Sequence, residues 1–123
     1  MIPISVKNNN KIIGNYYEKL AIKYLIKNEY NIIVTNYRYE SIDGYRPLEL
    51  DIIATKDEVI FFFEVKYRQK NIHGYFPCGQ KKIDNITQCS ENFLYHNPQY
   101  KHLWPKINCI LITPNTLEIL DVN

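Results

Sequence analysis

Four charged residues interrupt two otherwise apolar stretches of this 123-residue chain: Glu49 and Asp51 in "LELDIIA" (48–54), then Glu64 and Lys66 in "EVIFFFEVK" (58–66). Burying an ion costs several kcal/mol unless something compensates it. Side chains alternate along a strand, so Glu49 and Asp51 share one face of theirs, and Glu64 and Lys66 one face of the next. The polar "TKDE" between them suits a hairpin turn, and a hairpin that aligns these faces brings three carboxylates and one ammonium onto one patch. Two carboxylates about 4 Å apart repel by roughly 4 kcal/mol at an effective dielectric near 20. One lysine offsets part of that, and a divalent cation resolves the rest. Carboxylate oxygens with open positions are the ligand set of Mg²⁺ or Mn²⁺, and Lys66 beside them would orient an attacking water. That is hydrolytic chemistry.

Glu18 joins these residues from a predicted helix. At about 100° per residue it lies about 20° from Leu25 and about 60° from Ala21, on the rim of the buried stripe. Its neighbours three and four residues away are Asn15, Gly14, Ala21 and Ile22, so no local ion pair accounts for it. It is a further candidate ligand, direct or through water. Plainer readings stand beside each assignment: Glu49 as a solvent-facing edge residue, Glu64 with Lys66 as half of a cross-strand ion pair, and Glu18 as a rim residue.

The elements that must position these groups follow from periodicity. Tyr17, Leu20, Ala21, Tyr24 and Leu25 recur at amphipathic-helix spacing within 15–28, with Gly14 and Asn28 as punctuation. "YNIIVTNYRY" (30–39) is a β-branched and aromatic strand, and "SIDGYRP" (41–47) is a loop. After the hairpin and the loop "RQKNIHGYFPCG", a second helix is readable from Ile83, Ile86, Cys89, Ser90, Phe93 and Leu94, ending before Pro98. "INCILI" and "LEILDV" around "TPNT" close the chain as a hairpin. The predicted order is αβββαββ, a mixed sheet between helices.

Composition bounds the function class. At this length, with 46% hydrophobic and 23% charged residues, the chain holds one domain, expected over 11–123 after a loose segment 1–10. No stretch approaches the roughly 20 apolar residues of a membrane helix and no signal segment is visible, which places the protein in the cytoplasm without a membrane partner. Cys78, Cys89 and Cys109 match no zinc or disulfide pattern and read as reduced packing groups. His73, His96 and His102 have no zinc spacing; His73 is a candidate DNA contact. Trp104 and most of the eleven tyrosines read as core and rim, with Tyr67 and Tyr75 as candidate base-stacking residues. Lys66, Arg68, Lys70, Lys81 and Lys82 form a basic run from 66 to 82 without an acid, suited to phosphate contact or to a solvated basic face.

These residues also carry a family likeness. "ELDIIA" followed by "FFEVKYR", with "GNYYEKLA" upstream, resembles the E-I-D-L-I-A, F-V-E-V-K-x-R and G-x-x-G-E-x-x-A blocks of the YraN-like family of small bacterial proteins, over about residues 11 to 122. That family is similar in pattern to archaeal Holliday-junction resolvases and to the restriction-endonuclease-like superfamily, with its PD-(D/E)xK signature and αβββαβ core. The resemblance implies an α/β fold with a mixed sheet flanked by helices, and a metal-dependent DNA endonuclease acting on branched DNA. Asp51 and Glu64 would be metal ligands with the Val65 carbonyl, Lys66 the motif lysine, Glu18 the helix acid and Glu49 a supporting acid. Lys82, or the adjacent Lys81, would contact phosphate, with Gln80, Arg68 and Lys70 nearby; a dimer would suit paired cuts on a symmetric junction. Tyr17 and Leu48 stand where the family has glycines. The alternative is a nucleic-acid-binding module that keeps the fold without catalysis.

Overall fold

Helix α1 (Asn9–Lys27) begins six residues before the stretch whose periodicity announced it. A computed structural model describes residues 9–40, 47–70 and 77–122, with side chains from residue 15 onward. Ala21 and Leu25 are fully buried, while Tyr24 is 37% exposed and leaves the inner face. The helix ends in a Schellman motif: the Tyr30 amide donates to the Leu25 carbonyl and the Glu29 amide to the Ile26 carbonyl. Glu29 occupies the left-handed position there with φ 69°, a place glycine usually takes.

Five strands follow the predicted order: β1 (Asn31–Glu40), β2 (Pro47–Lys56), β3 (Val59–Tyr67), then, after helix α2 (Gln80–His96) and a 3₁₀ turn at Pro98–Tyr100, β4 (Trp104–Ile112) and β5 (Leu117–Asp121). They form one sheet in chain order, antiparallel throughout except for the parallel β3–β4 pair that the α2 crossover connects. The two helices cover opposite faces. Ala21 and Leu25 pack with Ile52, Ala54, Phe63, Ile110 and Ile112; Ile86, Cys89 and Phe93 pack with Leu50, Ile53, Ile60 and Phe62. This is the mixed α/β architecture that the motif pattern implies. The three cysteines are free and buried. Trp104 is 69% exposed at the start of β4 and is surface, not core.

Two departures from regular sheet geometry position the site. β2 and β3 pair only from Lys56↔Val59 to Ile52↔Phe63. Beyond that, β2 runs on with β1 as far as Pro47↔Glu40 and β3 with β4 as far as Tyr67↔Ile112, so the sheet forks. The face pattern of β2 also changes phase: Ile52 and Ala54 face α1, whereas Leu50, which strict alternation would put beside them, packs on the α2 side. The change falls at Asp51. On β1, Asn36 lies between the pairs Thr35↔Ile52 and Tyr37↔Leu50 and has φ 56°.

Candidate active site

The fork opens between Asp51 and Glu64, and the two carboxyl groups occupy it. Asp51 continues the ladder with its side chain: Oδ2 accepts the Val65 amide at 2.8 Å, satisfying a donor that β2 backbone no longer reaches. Glu64, 5% exposed, points to the α2 side. Its Oε2 lies 3.2 Å from Lys66 Nζ and 3.3 Å from Lys82 Nζ. Its other oxygen, Oε1, is buried without a hydrogen-bond partner.

The electrostatics follow from this crowding. Burial, then the negative charge of Glu64, pushes Asp51 up to about 7, against the opposing pull of the Val65 amide. Glu18, half-buried on α1, is also raised, first by burial and then by Glu64 and Glu49, while the Asn36 side-chain amide opposes the shift. Two adjacent acids, one protonated near neutrality and the other with an orphaned acceptor, form an oxygen-only set that a hard divalent cation would relieve.

The predicted residues separate by placement. Asp51, Glu64 and Lys66 meet, and Glu18 is close enough for its charge to act on Asp51. Glu49 does not converge with them: it is exposed, and its Oε1 pairs with Arg38 Nη1 at 3.0 Å. The predicted convergence of three strand carboxylates is therefore corrected to two, because the fork and the phase change at Asp51 separate the residues of β2. Among the described residues, no group of three or more His, Cys, Asp or Glu side chains is gathered closely enough to hold a metal ion by itself.

Of the two lysines opening α2, Lys82 reaches Glu64 and Lys81 is exposed to solvent. Gln80 donates to Asp84 Oδ1 on its own helix at 2.9 Å. Arg68 is tied to the carbonyls of Tyr67 and Pro77, and Lys70 is exposed. Tyr67 stacks on Tyr17, with ring centroids 4.1 Å apart, so one of its faces is already covered. Burial and the Tyr67 hydroxyl push Tyr17 up to about 12. His73 and Tyr75 lie outside the described residues.

Sequence reading named Lys82 for phosphate contact but not its direct pairing with Glu64, and it missed two neighbours of the site: Cys109, beside Glu64 in the β3–β4 register, and Asn36, whose side chain opposes the upward shift of Glu18. Only Asn36 carried a local signal, since asparagine tolerates positive φ better than most residues.

Known proteins resemble this chain to different depths. The crystal structure of a Holliday junction resolvase from Archaeoglobus fulgidus, Hjc, superposes with a TM-score of 0.57 over 87% of this chain and 74% of that one, at 15% identity, a likeness of fold. A protein of Fusobacterium nucleatum is 33% identical over 89% of this chain and 88% of its own. One from Caldicellulosiruptor bescii is 39% identical over 78% of each. Both bear the name UPF0102. Residues 17–112, which run from α1 through the fork and α2 to the end of β4, match the model of the uncharacterised protein family UPF0102, and it is to this YraN-like family that the chain belongs.

Proposed function

We propose that this protein is a Mg²⁺- or Mn²⁺-dependent endonuclease that hydrolyses a phosphodiester bond in DNA, with branched DNA as its substrate class. The observation that carries this reading is the buried Glu64 carboxylate: one oxygen is held by two lysines and the other is left without a partner beside Asp51. The likeness of fold to a Holliday junction resolvase supports a nuclease and suggests the substrate.

Asp51, Glu64 and the Val65 carbonyl would hold the cation, with Glu18 direct or through water; when bound, it would supply Lewis-acid polarisation of the phosphate and an acidified water. Lys66, anchored by Glu64, orients the water for in-line attack. Lys82, on the other side of the same carboxylate, is placed to shift its ammonium from Glu64 to a phosphate oxygen. Lys81, Lys70 and Arg68 extend the cationic surface for the DNA backbone, and Gln80 is a weaker contact. Glu49 supports the site at a distance through its charge. Residues 11–123 act as one domain, working in the cytoplasm, and two copies would make paired cuts on a symmetric junction.

The test is a Mn²⁺ titration with labelled linear, nicked, flapped and four-way DNA, using the wild type and Asp51→Asn. Metal-stimulated cutting by the wild type alone is the expected result. DNA binding with a steep salt dependence but no cutting of any substrate would replace this reading with a non-catalytic binding module.

A further inference from the structure

Tyr95 is 81% exposed on α2, a large aromatic ring that neither the core nor the fork uses. It lines an open groove of about 630 Å³ between the end of β1 and the last turns of α2, within the size range of small-molecule sites, about 300–1,000 Å³. Among the described residues, the β1 wall is formed by 37–40 and the α2 wall by Asn92, Tyr95 and His96. Tyr37 is fixed: its ring meets Phe93 edge-to-face, and its hydroxyl donates to Asn92 Oδ1, which sets that amide in place. His96 is fixed too, because Nδ1 donates to the Asn92 carbonyl at 3.0 Å, and its ring meets Tyr95 edge-to-face with centroids 5.2 Å apart. The groove thus combines exposed ring surface with a preset amide. Its cation, Arg38, lies 3.0 Å from Glu49 and 3.7 Å from Glu40. Such a surface has no surplus positive charge for duplex phosphates. It suits the neutral, flat bases of an unpaired strand, which stack on aromatic rings and hydrogen-bond to amides.

The groove also leads to the candidate active site. Arg38↔Glu49, Tyr39↔Leu48 and Glu40↔Pro47 are cross-strand pairs, and Pro47, Leu48 and Glu49 line, with Lys82 and Asn85, a second groove of about 240 Å³. The two grooves therefore adjoin across the β1–β2 ladder, and the second ends at the lysine that holds Glu64. Along α2 from Lys82 to Tyr95 the path is about 20 Å long, enough for a few nucleotides, and Asn85 and Asn92 lie about two turns apart on one face of the helix. We propose that this path is a single-strand subsite: Tyr95 and Tyr39 stack an unpaired base, and the strand runs past Asn92 and Asn85 to the phosphate at Lys82. The preferred substrate within branched DNA is then one with an unpaired arm, such as a flap, over a junction whose arms are all paired. The direction of the strand rests on the nuclease reading above, whereas binding in the groove needs no metal.

Fluorescence anisotropy with a labelled single-stranded oligothymidine, and with a duplex of equal length, is measured in chelator for the wild type, Tyr95→Ala and Tyr95→Phe, with thermal melts of each. Because Tyr95 is exposed, Tyr95→Ala should melt like the wild type. It is expected to bind the single strand about 5- to 150-fold more weakly, the range for one stacked base. The factor should be the same at about 50 and about 200 mM salt, since no phosphate contact is lost. Duplex affinity should be unchanged, and Tyr95→Phe should bind as the wild type does. Equal single-strand affinity in wild type and Tyr95→Ala, or equal losses for single strand and duplex, would overturn the inference while leaving the nuclease reading intact. Self-association that Tyr95→Ala abolishes, with DNA binding unchanged, would overturn it too and assign the groove to a second copy of the chain. Single-strand binding that depends on Tyr95 in a wild type that cuts no DNA would remove the nuclease reading and keep the groove as a binding site. In the wild type alone, the ring protons of Tyr95 and His96 should shift upfield as the oligothymidine is added, and unmoved signals would show that the strand does not bind there.

Discussion

Asp51 carries the most informative conflict in the molecule. Its carboxyl is held up to about 7 by burial and by Glu64, whereas an unfolded chain releases that proton near 3.8. Between these values the metal-free folded state binds more protons than the unfolded one, so stability falls as pH rises from about 4 to 7 and then levels. Melting in chelator should drop by on the order of 5 °C or more between pH 5 and 7.5, and Asp51→Asn should flatten that slope. Mn²⁺ competes with the same proton, so its affinity should rise over this window; an affinity independent of pH would contradict the assignment of Asp51 as a ligand. At Lys66 the prediction is kinetic. Lys66→Ala should reduce cleavage by at least about 100-fold while leaving the fold and most DNA affinity intact, as read by circular dichroism and by binding at low salt. The Arg38–Glu49 pair is exposed, and Glu49→Ala should change stability by less than about 1 kcal/mol in denaturant titration.

At the scale of elements, the site depends on where β2 and β3 part and on how α2 is held. Phe93 lies 2% exposed between Tyr37, Phe62 and Tyr100 and anchors the helix that delivers Lys82. Phe93→Ala should cost about 3–5 kcal/mol in urea unfolding. At the end of α1 the left-handed Glu29 invites the opposite change: Glu29→Gly should stabilise by about 0.5–1 kcal/mol, measurable in the same titration. The elements themselves were legible because their periods are strong. Ile86, Cys89, Ser90 and Phe93 are the buried face of α2, at the spacing expected of an amphipathic helix, and the apolar runs of β2 and β3 read as strands. The early start of α1 was not legible, since "NNKIIG" carries no amphipathic stripe. The fork was not legible either, because strand separation is a matter of long-range pairing, and both strands stay paired on their outer sides.

For the whole molecule, the formal charge of +2 is modest, yet Lys66, Arg68, Lys70, Lys81 and Lys82 all lie on β3, on the segment after it or at the start of α2. A DNA complex that neutralises three phosphates should lose roughly 40-fold in affinity between about 50 and 200 mM salt, and Lys81→Ala should make that dependence shallower. Among the described residues no helix is long and apolar enough to cross a membrane. The sequence by itself determined the element order, the opposed helices and the identity of Asp51, Glu64 and Lys66, because residue type and period are local properties. Which acids meet was decided only by tertiary structure. Glu49 and Asp51 are two residues apart on one strand, but long-range pairing ends at Ile52↔Phe63. Beyond that point Asp51 turns into the fork toward Glu64, and Glu49 is left to Arg38 on the neighbouring strand.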